Sequence, residues 1–98
     1  KKVISAEVWL NACSKLNILR GDEHGRLFDL QQVVAQQKAL YLAQNDPASH
    51  AKVKVEAMDS FKTMLLQKAK LERIEEAIRI AKLQARLANE EYRHSNFN

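Results

Sequence analysis

The chain has 98 residues, 46% hydrophobic and 29% charged, with two glycines and one proline. That is too short for two independent cores and too apolar for a disordered segment, so one domain over residues 1–98 is expected. A net charge of +4 and a pI near 9.4 are a mild basic excess that inclines the surface toward polyanions.

Ala, Leu, Lys, Glu, Gln and Arg dominate, the usage of long helices, so the predicted class is all-α. A single cysteine, Cys13, has no disulfide partner within the chain and no Cys or His at zinc-ligand spacing, as in chains from reducing compartments. No apolar run approaches the roughly 20 residues a bilayer span needs, and Lys1-Lys2-Val3-Ile4 is not followed by a signal-peptide core. The expectation is a soluble cytoplasmic protein, in the host cytoplasm if viral. A start at Lys rather than Met reads as a domain excised from a longer chain.

The first predicted helix covers about residues 5–19. Trp9, Ala12, Cys13, Leu16 and Leu19 recur at spacings of three and four behind an N-cap at Ser5. Arg20-Gly21 reads as its end, because glycine adopts the left-handed conformation that stops helices, and Asp22 then caps the next. The second helix runs over about 23–44, with Leu27, Leu30, Val33, Val34, Leu40 and Tyr41 inward and Gly25 weakening its first turn. Asn45-Asp46-Pro47 is a stop followed by a start, Asp suiting an N-cap and Pro the first helical position. The third helix is predicted over about 47–93, with a bend or a break at Lys52-Val53-Lys54-Val55. The architecture expected is a short N-terminal helix followed by an antiparallel hairpin of two long helices, the last with coiled-coil-like seams.

In that last helix Leu71, Ile74, Ile78, Ala81, Ala85, Ala88 and Tyr92 alternate three and four, a heptad seam. Ala69, Ala77, Ile80, Leu83 and Leu87 form a second line beside it. Two seams imply two neighbours, and the first two helices cover only one of them in part. The expected occupant of the spare surface is another copy of the chain, with Leu71, Ile74, Ile78, Ala81, Ala85 and Ala88 as the oligomer interface. An antiparallel fold-back within one monomer is the alternative.

Catalytic patterns are lacking. Glu72 and Glu76 share a helix face, and Glu23-His24 stands near Asp29, but no Glu-x-x-His accompanies them and Glu75 to Arg79 is an ordinary i,i+4 ion pair. His24, His50 and His94 are far apart, and no phosphate loop or nucleophile motif is present. Neither an enzyme nor a metal or other cofactor site is expected. Arg20-Gly21-Asp22 matches an adhesion tripeptide, but it falls at a helix junction in a chain with cytosolic cysteine usage. The remaining chemistry is basic: Lys15, Arg20 and Arg26 near the first junction, and Lys52, Lys54 and Lys62 further on, are the candidate phosphate contacts, against a plain solvated lysine face.

Trp9, then Leu16-Asn17-Ile18-Leu19, Asp22 and Leu27 opening a long helix, followed by a longer helix rich in Lys, Arg, Glu and Gln, resembles the small terminase subunits of tailed bacteriophages. The separate helix-turn-helix domain of many such proteins has only a partial match here, at Arg20-Gly21-Asp22. The resemblance implies a ring-shaped homo-oligomer that recognises double-stranded viral DNA and hands it to the large, ATP-hydrolysing terminase subunit, with no membrane and no small-molecule substrate. The rival is a structural helical adaptor or coiled-coil oligomerisation module that binds another protein.

Overall fold

The computed structural model describes residues 5–97, with side chains through residue 91. Expectations placed on residues 1–4 and on the side chains of Tyr92 and His94 lie outside the described residues. Three helices follow in order: α1 (Ala6–Ala43), α2 (Ala48–Glu56) and α3 (Asp59–Phe97), with no strand among the described residues. The class is all-α, and the long helices α1 and α3 pack on each other as a helical hairpin. Among the described residues no helix is long and apolar enough to cross a membrane.

The boundaries correct the sequence reading at two places. The helices expected over 5–19 and 23–44 are one helix of 38 residues, which runs through Arg20-Gly21-Asp22 without interruption. Neither glycine takes a positive φ, and a Cβ at either would meet nothing within 4 Å. The reason is the inward rhythm. Trp9, Cys13, Leu16, Arg20, Glu23, Leu27, Leu30, Val34, Gln37 and Tyr41 alternate four and three across the supposed junction, and all but Arg20 are buried or half-buried. Packing along this stripe outweighs the roughly 1 kcal/mol that each interior glycine costs. Leu19, Val33 and Leu40, expected inward, are exposed, because they lie off that rhythm.

The second correction is the long third helix. It divides into α2 and α3 at Ala57-Met58, a break that falls just past the bend or break expected at 52–55. Ala57 stays in the right-handed region, with φ −82 and ψ −10, and its N–H still donates to the Val53 carbonyl. Met58 donates to the Val55 carbonyl at 3.0 Å, a tightened final turn. No glycine or proline sits there, and Tyr41 Oη donates to Met58 Sδ at 3.8 Å, so a contact from α1 accompanies the break.

Between α1 and α2 the stop reads as expected, by a named device. Asn45 takes φ 66, Asp46 N–H donates to the Tyr41 carbonyl at 3.3 Å, and Asn45 N–H donates to that of Leu42 at 3.1 Å. This is a Schellman motif with asparagine in the left-handed position. Pro47 is the N-cap of α2 rather than its first helical residue, and the Asp46 carboxylate turns to Lys54 instead.

The chain forms two compact units, Lys1–Gly21 with Glu72–Asn98, and Asp22–Leu71. In the first, α3 lays its alanine-rich seam on the opening turns of α1: Ile78, Ala81, Ala85 and Ala88 are buried with Cys13, whose Sγ lies 4.0 Å from the Ile78 carbonyl. In the second, Ala51, Val55 and Leu71 are buried, and Glu23 meets Gln67 while Tyr41 meets Met58, an antiparallel pairing.

Candidate functional site

The six seam residues expected to face another copy are covered within the single chain. Leu71, Ile74, Ile78, Ala81, Ala85 and Ala88 are all buried, so the intrachain fold-back occupies this seam. Alanines that were expected to let a second molecule approach let α1 approach instead.

The six candidate phosphate contacts are exposed, but they do not converge. On α1, Arg20 lies about 140° around the helix from Lys15, while Arg26 returns to the Lys15 side three turns on. Arg26 sits 3.6 Å from the Glu23 carboxylate. Lys52 and Lys54 are two residues apart on α2 and so about 160° apart in direction. Lys54 is engaged already, 2.7 Å from Asp46 Oδ2 and 5.4 Å from the centre of the Tyr41 ring. Lys62 stands on a third helix, α3.

Sequence reasoning placed Glu23 among weak candidates for acid or metal chemistry. The structure makes it the buried charged side chain of the described core, 2% exposed. Gln67 Nε2 donates both to its carboxylate and, at 2.9 Å, to its backbone carbonyl, and Lys70 Nζ donates to Oε1 at 3.1 Å. The Gln67 hydrogen bond, then that of Lys70, hold the Glu23 carboxyl below its ordinary value against the opposing effect of burial, with the charges of Arg26 and Lys70 adding to them. A carboxylate with these donors locks the pairing of α1 and α3 within its unit. Among the described residues no cluster of three or more His, Cys, Asp or Glu side chains is placed to hold a metal.

Two exposed features of α3 remain. The first is the second apolar line: Ile80, Leu83 and Leu87 are 44%, 42% and 43% exposed, and upstream Leu66 is 71% exposed beside Ala69. The second escaped the reading of the sequence. Arg79, Lys82 and Arg86 follow the three-four spacing, fall on one face and line a shallow depression with Leu83. No acidic residue occurs between Ala77 and Asn89 to offset Lys82 and Arg86, whereas Arg79 is paired with Glu76. Arg79 also donates from Nε to Glu76 Oε2 at 3.0 Å, a bond that holds the Glu76 carboxyl below its ordinary value. The three-four test, applied to charged as well as apolar residues, would have found this band.

No protein-family model, curated protein or solved structure matches the chain.

Proposed function

We propose that the chain is a non-catalytic helical assembly module whose role is to bring copies of itself together. The observation that carries this reading is an exposed apolar line: along α3, Leu66 is 71% exposed and Ile80, Leu83 and Leu87 are 44%, 42% and 43% exposed, the kind of repeated apolar surface that marks an interaction site. Light scattering and sedimentation velocity over a wide concentration range test it. A concentration-dependent mass above 11.2 kDa is expected, and a monomer at every concentration would refute it.

The band Arg79, Lys82 and Arg86 favours a second reading. In it the assembly binds double-stranded DNA and, as in the small terminase subunits that the sequence resembles, presents it to a large packaging subunit in the host cytoplasm. Binding to phosphates releases counterions, so Lys82→Ala with Arg86→Ala should weaken duplex binding and flatten its log-log salt slope by about 0.9 for each phosphate no longer neutralised. An assembled protein that ignores duplex DNA leaves the first reading standing and removes the second, with capture of a different protein as the remaining role.

A further inference from the structure

We infer that the second copy packs antiparallel along the outer face of α3, with a two-fold axis passing between Arg73 and Glu76. This inference rests on the assembly reading above and specifies its partner, face and direction.

Leu66, Ala69, Arg73, Glu76, Ile80 and Leu83 alternate three and four along one unbroken helix. The rhythm is that of coiled-coil a and d positions, and the line lies about 140° around α3 from the seam that α1 covers. All six residues are exposed. Read backwards, the line complements itself. In an antiparallel pair each a position faces a d position, and centring the axis between Arg73 and Glu76 sets Leu66 against the partner's Leu83. The same register sets Ala69 against the partner's Ile80, small against large, and Arg73 against the partner's Glu76, opposite in charge. Symmetry repeats every pairing. At the ends Lys62 lays its methylene stem over the partner's Leu87.

Charge decides the direction. A parallel in-register pair stacks Arg73 on the partner's Arg73 and Glu76 on the partner's Glu76, like charges inside an interface. Antiparallel pairing converts both layers to Arg against Glu. It also brings Glu72, which flanks the seam, beside the partner's Arg79, seven positions on in the same flanking row. The outer line of α1 is a poorer match. Between Leu19, Val33 and Leu40 the same rhythm places Asp22, Asp29 and Gln36, so one of its two rows is polar throughout.

The test uses disulfide trapping in a Cys13→Ala background, which removes the native thiol. Two chains, Ala69→Cys and Ile80→Cys, one carrying a size tag, are mixed and oxidised. The expected product is the mixed disulfide-linked dimer. Neither chain should link to itself, because eleven residues along a helix separate like positions by about 16 Å, beyond disulfide reach. Self-linked dimers, or an assembled mass without the mixed product, overturn the antiparallel register and leave the assembly reading intact. A monomer at all concentrations removes both. A second arm reads charge: Arg73→Glu should weaken association at least tenfold with helicity unchanged, and Arg73→Glu with Glu76→Arg should restore it. Unchanged association of the single variant removes the charged layer, and with it the inference.

Discussion

Glu23 stands between Gly21 and Gly25, and this arrangement explains why a helix continues where the sequence suggests a stop. The carboxylate is held by Gln67, Lys70 and Arg26, so the backbone on either side is fixed by a tertiary anchor. Its folded pKa lies below the ordinary 4.5. For a depressed carboxylate the stabilisation is present above the unfolded value and is lost as pH falls through the folded one. The melting temperature should therefore decline as pH drops below about 4.5, and Glu23→Gln should give a flatter curve across that window. Equal slopes in both proteins would show that this carboxyl is not linked to folding. Gly21, helical and with open space around it, carries an ordinary helix-interior penalty, so Gly21→Ala should stabilise by about 1 kcal/mol. On a protein of this size that is roughly 4–8 °C in thermal melting. The opposite sign would mean that the junction breaks in solution.

Helix α3 carries two apolar lines, and the sequence alone gives them equal standing. Periodicity made the all-α class, the stop at Asn45-Asp46-Pro47 and both lines legible. It could not say which line α1 takes, because that depends on the whole opposing stripe from Trp9 to Tyr41, two of whose members, Arg20 and Glu23, are charged. The break at Ala57-Met58 was legible only as a nearby weakness at 52–55, since it has no glycine or proline to mark it. The dispersed lysines show a related limit: residues close in sequence, such as Lys52 and Lys54, point to different sides of one helix. A pair of substitutions separates the lines. Ile78→Ala empties a buried site and should cost about 2–5 kcal/mol of chain stability. Ile80→Ala, at an exposed site, should leave chain unfolding at low concentration nearly unchanged and weaken association instead. Denaturant melts combined with sedimentation would distinguish these outcomes, and equal destabilisation by both would mean that the lines are not divided as described.

For the whole molecule, association and stability are linked. If copies bind only when folded, the apparent melting temperature should rise with protein concentration. A concentration-independent value alongside a constant monomer mass would count against self-association. The two-fold pairing along α3 uses the same patch on both copies, so it closes at two. A ring of the kind the terminase resemblance implies needs a second, different interface. The exposed outer line of α1 is available for it. Whatever the final number, the pair Lys82 and Arg86 is presented once per copy, and repetition raises its hold on a polyanion without any change in the pair itself.

The contacts that α1 makes with the rest of the chain also lie at increasing loop lengths from the turn: Tyr41 and Met58 are 17 residues apart, Glu23 and Gln67 are 44, and Cys13 and Ile78 are 65. Closing the longest of these loops from a disordered chain costs about 1.2 kcal/mol more than closing the shortest, whereas each pairing made first shortens the search for the next. The hairpin should therefore zip from the Asn45–Pro47 end outward and fray in the reverse order. Native-state hydrogen exchange would record that order directly, with amides around Ile78 exchanging at lower denaturant than those around Met64, and the reverse order would place the folding nucleus at the alanine-rich seam.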